Sequence, residues 1–272
     1  MNKKNKIELG NIQETLLLPL WGRAIETKKE NPLLIDNIAV SIITNLSYDF
    51  SVIANNVSKL SQLSWIARSI FFDKKIKAFI ADNPEATIVN IGCGLDTTFE
   101  RVDNGKIQWI DLDLPDSIAL RRNYISESEH RKFVSMSVLN TDWYKNINST
   151  NKIMLLIAGV LYYFDETEVK RLFDDFHKFI PGVEIVFDYS STKGIKIANK
   201  KVIDKGGMDK SAYLKWGIDN IFDIEKWDNG IKVKSNMPMF KEHKKSYPYL
   251  KRIGMNISDS MKIMSLAHIE VN

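Results

Sequence analysis

The chain has 272 residues, 44% of them hydrophobic and 26% charged, an ordinary composition for a folded domain with material for a sizeable core. No apolar run approaches the roughly 20 residues that span a bilayer, and no apolar stretch follows the basic N-terminus MNKKNKIELGN as a secretory signal requires. The formal charge is +4, and Cys93 is the single cysteine, which excludes an intrachain disulfide and a multi-cysteine zinc site.

The expected location is therefore the cytoplasm, with no membrane partner. The densest basic group, Lys241–Lys245, is interrupted by Glu242 and His243. It reads as a solvated face, and no nucleic-acid partner is expected, because that surface needs a concentrated basic stripe.

In chain order, the first 84 residues read as helical. Apolar residues recur at helical intervals over Glu14–Lys28, again from Pro32 to Leu46, and over Leu60–Ala81, which Asn83-Pro84 stops. The period then changes. Thr87–Ile91 is short and β-branched and runs into glycine, the mark of a buried parallel strand. Ile107–Leu112, Lys132–Val138, Ile153–Ala158 and Val183–Asp188 read likewise. Helices are expected between them at Pro115–Ser126 and at Glu166–Phe179, the latter with Asp165 as N-cap. Strands alternating with helices imply a parallel sheet covered on both faces. After Tyr189 the pattern loosens into a polar, glycine-containing segment, Ser190–Lys210. A helix near Ser211–Ile221 and late strands at Ile231–Val233 and Lys262–Val271 are expected beyond it.

The strongest local motif is Val89-Asn90-Ile91-Gly92-Cys93-Gly94-Leu95-Asp96-Thr97. A strand entering Gly-x-Gly can turn tightly and approach a ligand without interference from Cβ. A dinucleotide fingerprint would place a third glycine at position 97; Thr97 stands there, which disfavours a nicotinamide oxidoreductase and suits an adenosine-type cofactor without pyrophosphate. The next strand ends in Ile110-Asp111-Leu112-Asp113. An acidic group there can accept from both ribose hydroxyls, and Asp111 and Asp113 share a face, so either can serve. Arg68 sits on an apolar helix face, where its guanidinium must snorkel to water or clamp an anion such as the methionyl carboxylate of the cofactor. The four histidines form no ligand-spaced pair, no third ligand joins the two aspartates, and no metal site is expected.

These stretches resemble the leucine carboxyl methyltransferase-like family, including O-methyltransferases of polyketide synthesis, from about Glu14 to Asp188. The resemblance is carried by Pro19-Leu20-Trp21-Gly22-Arg23-Ala24-Ile25-Glu26-Thr27, Ala67-Arg68, the glycine turn, Ile110-Asp111-Leu112-Asp113-Leu114-Pro115 and Gly159-Val160-Leu161-Tyr162-Tyr163-Phe164. It implies a Rossmann-like class I methyltransferase sheet, mostly parallel and of about seven strands, in one domain spanning 1–272. Within it lie a helical cap (1–84), a cofactor-binding core (85–189), a lid insertion (190–230) and the end of the sheet (231–272).

The cofactor it implies is S-adenosyl-L-methionine, giving S-adenosyl-L-homocysteine as product. Gly92, Cys93 and Gly94 would wrap it, Arg68 would hold its carboxylate with Lys28 nearby, Asp113 would take the ribose, and Val138 and Leu139 would flank adenine. Family members often carry a glutamate directly before Gly-Val-Leu; this chain has Ala158 there, so another group would have to assume that role. The expected reaction is O-methylation of a small-molecule hydroxyl or carboxylate. The alternative is a cofactor-binding protein without turnover. Tyr162, Tyr163 and His243 are candidate bases by position alone.

Overall fold

The structure, a computed structural model, describes residues 16–148, 150–204, 213–227, 230–247 and 249–272. The start of the first expected helix, most of the Ser211–Ile221 helix's first turn and the end of the polar insertion lie outside them. Four helices come first: α1 (Leu17–Thr27), α2 (Asn37–Asn45), α3 (Ser51–Asn56) and α4 (Lys59–Asp82). The longest, α4, starts at Ser58, whose hydroxyl accepts from the Ser61 amide at 3.0 Å and satisfies one of the free donors of the first turn. Its C-terminal half packs Phe72, Ile76 and Phe79 against the sheet, while its N-terminal half carries Arg68.

The described residues form a seven-stranded sheet in the order β3-β2-β1-β4-β5-β7-β6. The strands are β1 (Thr87–Ile91), β2 (Gln108–Asp113), β3 (Arg131–Ser135), β4 (Ile153–Ile157), β5 (Val183–Tyr189), β6 (Ile231–Pro238) and β7 (Ser265–Val271). The first five are parallel, and β7 runs antiparallel between β5 and β6. The central strands β1 and β4 are buried at every position, which is why β4 is a continuous apolar run and β1 is one apart from Thr87 and Asn90, rather than alternating. The order reverses between β1 and β4, and at such a switch point the loops diverge and open a crevice at the carboxyl ends of the strands.

Among the intervening helices, α5 (Thr98–Val102) follows the glycine turn, α6 (Pro115–Arg121) follows β2, and α7 (Glu166–Phe179) follows β4. The expected N-cap of α7 is present as a reciprocal capping box between Asp165 and Glu168, which satisfies two donors at once. After β5 come α8 (Thr192–Ala198) and, between β6 and β7, α9 (Tyr249–Ser260).

Several boundaries differ from the sequence expectation, each for a local reason. Helix α2 begins at Asn37 rather than Pro32 because Asp36 caps it, accepting from the Ala39 amide at 2.9 Å. Strand β3 stops at Ser135, where its partner β2 ends at Asp113, and α6 stops at Arg121. Residues 213–220 are not helical; a short 3-10 turn follows at Ile221–Lys226. Helix α9 was not expected. Among its described side chains Met255 is the one large apolar residue that is buried, while Tyr249, Ile253 and Ile257 are exposed, so those three point away from the core. No described helix is long and apolar enough to cross a membrane.

Candidate active site

At the carboxyl ends of β1, β2 and β4 lies a cavity of about 470 Å³, a size that suits a nucleoside-sized ligand. Its floor is the glycine turn. Gly92 has φ +64°, and a Cβ there would sit 2.3 Å from Val160 Cγ2, so a side chain is excluded on both counts. Gly94 also lines the cavity, and its amide donates to Asp113 Oδ2 at 2.7 Å. The second Asp113 oxygen accepts from the Leu114 amide at 2.7 Å. Burial pushes the Asp113 carboxyl above its usual range despite those two bonds. Each oxygen keeps a lone pair with which to accept a hydroxyl.

Asp111 faces another task. It is fully buried and does not line the cavity. Its oxygens accept from Asn90 Nδ2 (3.1 Å), Trp109 Nε1 (3.0 Å), Arg121 Nη2 (3.0 Å) and Arg131 Nε (2.8 Å). Arg121 also donates to the Gly94 carbonyl at 2.9 Å, so this cluster supports the turn from beneath. Of the two aspartates left open by the sequence, only Asp113 reaches the cavity; the expectation for Asp111 as a ligand group is corrected.

The N-terminal helices grip the turn from the other side. Arg23 donates from Nε to Asp36 Oδ2 at 2.8 Å and from Nη2 to the Leu95 carbonyl at 3.2 Å. Arg101 bridges Asp36 (3.0 Å) and Asp73 (2.7 and 3.0 Å), and the Thr97 hydroxyl donates to Asp36. Thr97 thus supplies a hydrogen bond where a dinucleotide fold has its third glycine. Burial works to raise the Asp96 carboxyl, but Arg23, Arg101 and Thr98 hold it well below its usual range.

Arg68 lines the cavity and is 8% exposed. Its Nη1 donates to Asp188 Oδ2 at 2.8 Å, and Asp188 Oδ1 accepts from the Gly159 amide at 2.6 Å. Burial opposes the Arg68 charge, yet Asp188 more than offsets it. Tyr162 lies in the same wall; burial, then the neighbouring Asp188 charge, pushes its hydroxyl well above the usual tyrosine range.

Val138, Ala158 and Tyr163 line the cavity as well. Lys28, Cys93, Leu139 and His243 do not. Lys28 is exposed just past α1. The Cys93 side chain is buried among the N-terminal helices, where burial raises its thiol pKa well above the usual value. Leu139 packs against the main core. His243 sits beside Glu242 and Lys74, and burial lowers its pKa. Those four expectations are corrected: the turn faces its ligand with backbone, and the other three side chains point elsewhere.

The outer wall was not foreseen in detail. Residues 213–216 cross it: Lys215 and Trp216 donate from their amides to the Tyr162 carbonyl at 2.6 and 3.1 Å, and Asn199 pairs with both the amide and the carbonyl of Leu214 at 2.8 and 2.9 Å. Asp188 was missed too, although it closes a parallel strand just as Asp113 does. Among the described residues no group of three or more His, Cys, Asp or Glu could hold a metal ion.

A sheet in this order, with a glycine turn after β1 and a ligand cavity at its switch point, is the fold of class I S-adenosylmethionine-dependent methyltransferases. Comparison with known proteins agrees. The model of the family described as leucine carboxyl methyltransferase matches residues 17–177, so the chain belongs to the leucine carboxyl methyltransferase family, whose cofactor is S-adenosylmethionine. It is 26% identical to the tetracenomycin polyketide synthesis O-methyltransferase TcmP of Streptomyces glaucescens, over 86% of this chain and 85% of that one. It is 25% identical to the S-adenosyl-L-methionine-dependent methyltransferase dpfgK of Gibberella zeae, over 96% and 94% respectively. Among solved structures, a DUF574 family protein from Streptomyces avermitilis superposes with a TM-score of 0.62 at 9% identity, covering 97% of this chain and 100% of that one.

The residues present fit the cofactor. Asp113 offers acceptors for ribose hydroxyls, Arg68 offers donors for a carboxylate, and apolar Ile91, Leu112, Met136 and Val138 lie on the walls between loops.

Proposed function

We propose that this methyltransferase acts on an oxygen of a small molecule. The observation that carries the reading is a single cavity that joins Asp113, Val138 and Arg68 to an outer wall of Trp65, Tyr163, Phe164 and Leu214, so that cofactor and an apolar acceptor share one space. The likeness to TcmP over most of both chains supports an oxygen acceptor.

In this reading Asp113 accepts from the ribose, Val138 lies along adenine and Arg68 holds the methionyl carboxylate. When bound, the cofactor supplies a methyl group activated by a sulfonium. The chain contributes alignment and a dry environment, which together can supply much of the rate. Within the 190–230 insertion, residues 213–216, anchored to the Tyr162 carbonyl, act as the inner face of a lid. Tyr162, held neutral by burial, is a hydrogen-bond donor and not a base at neutral pH. His243 does not line the cavity and sits beside Glu242 and Lys74. This favours an acceptor that ionises by itself, such as a carboxylate or an acidic phenol. Asp188 holds the Gly159 amide, one residue past Ala158, from behind the cavity wall, and so supplies a carboxylate near position 158 without entering the ligand space.

The test is calorimetric titration with S-adenosylmethionine and S-adenosylhomocysteine, followed by transfer of a labelled methyl group to a panel of aromatic acids, phenols and amines. Binding with transfer to acids or phenols is expected. Transfer to amines alone would overturn the oxygen specificity, and binding without transfer to any acceptor would favour a protein that binds the cofactor without turnover.

A further inference from the structure

Arg68 and Asp188 are 120 positions apart in sequence, yet α4 and β5 bring them together in the cavity wall. Asp188 is 1% exposed and does not line the cavity, so no ligand in that space touches it. It binds one corner of the guanidinium, through Nη1, and among the described residues Nη2 and Nε have no partner. Its other oxygen holds the Gly159 amide at 2.6 Å. Gly159, at φ +72°, fits closely against the same guanidinium: a Cβ there would lie 2.8 Å from Arg68 Nη1. Strand β5, the turn after β4 and helix α4 are thus locked at one point.

We propose that Asp188 is a positioning residue for cofactor binding, which fixes the Arg68 fork so that its unused edge faces the cavity and receives the carboxylate of S-adenosylmethionine. This rests on the reading that Arg68 meets that carboxylate. An unrestrained arginine loses rotameric freedom when it binds an anion; one already held by a buried partner has lost it in advance, and binding is tighter for that reason. A buried counter-charge also keeps the guanidinium from swinging out to water, and Asp188 supplies it without entering the ligand space.

The experiment compares S-adenosylhomocysteine with 5′-methylthioadenosine, which lacks the amino-acid end, by calorimetry on the full chain. The wild type is expected to prefer S-adenosylhomocysteine. In Asp188→Asn, nearly the same shape without the charge, that preference should fall about tenfold, as loss of one charge-assisted contact implies. Affinity for 5′-methylthioadenosine should hold, which mere loss of structure would not permit. Because Asp188→Asn leaves a buried arginine unpaired, the neutral double variant Arg68→Gln/Asp188→Asn is measured beside Arg68→Gln. The two should show the same reduced preference, since Asp188 acts only through Arg68. An unchanged preference in Asp188→Asn, or a further fall in the double variant, overturns the proposal while leaving the cofactor reading intact. A wild type that binds neither compound overturns both.

Discussion

The two ends of the cavity are built by different means. The glycine-turn end is held by buried charged side chains from two sides: Asp36, Arg23 and Arg101 on one, Asp111, Arg121 and Arg131 on the other. The outer wall at 213–216 hangs on two backbone bonds to one carbonyl, on Asn199, on the Tyr213 hydroxyl donating to Asp204 and on the buried Trp216 ring. The first arrangement fixes geometry, because each of these buried charges is paired with an opposite one at a single place. The second can be re-cut without unfolding the domain, because its few bonds involve no buried charge. A shared cofactor with varied acceptors calls for that division.

The comparison is broken first at the rigid end. Asp36→Ala removes the cap of α2 and the close carboxylate partner of Arg23, and leaves Arg101 with Asp73 alone, so unfolding by denaturant should show a loss of roughly 3–5 kcal/mol; a change under about 1 kcal/mol would mean that the network is ornamental. Next comes Asp113→Asn, which should weaken cofactor binding by roughly 1.5–3 kcal/mol, as loss of hydrogen bonds to a charged group implies. It carries a pH signature. Burial raises the Asp113 carboxyl above its ordinary 3.8, so as pH falls it takes up a proton earlier than a free aspartate does, and wild-type affinity should decline there. The ionised form's binding advantage is fully present well above the folded pKa and lost below it. Titrations at stepped pH should show that decline in the wild type and a flat profile in the asparagine variant.

At the adaptable end, Asn199→Ala should cost about 1 kcal/mol of stability or less, with cofactor affinity unchanged and proteolysis near residue 214 accelerated. Equal proteolysis of the two proteins would show that the outer wall is held by more than this clasp. The smallest effect belongs to Lys28→Ala. The side chain is exposed and outside the cavity, so cofactor affinity should stay within about twofold, less than the 1.4 kcal/mol of a tenfold change. A tenfold loss in calorimetry would bring the end of α1 to the ligand.

How far the sequence was legible follows the same division. The parallel strands could be read from β-branched runs because burial on both faces leaves no alternation to confuse them, and the turn after β1 could be read because a positive φ demands glycine. From the residues alone Asp113 could be narrowed to one of two positions, since Asp111 shares its face, and only the resemblance chose it; in the fold the difference depends on Arg121 and Arg131, which arrive from later in the chain and take Asp111. Arg68 was visible as a charge on an apolar helix face. Its partner was not, because an aspartate ending β5 has no local sign of where its carboxylate points. Leu139 and Lys28 were carried by resemblance, and a one-residue difference in where a strand or helix ends turns such side chains elsewhere. Residues 213–220 defeated periodicity altogether: their conformation is set by Asn199 and the Tyr162 carbonyl, contacts made across the fold.

The position of β7 has a consequence for synthesis. It follows β5 and β6 in the chain but lies between them, and β6 joins the sheet only through β7. A chain growing from the ribosome can complete β3-β2-β1-β4-β5 early, but it then carries the open edge of β5, with its unpaired backbone donors and acceptors, until residues 265–271 emerge. That edge is the surface on which nascent chains would pair with one another until β7 closes it.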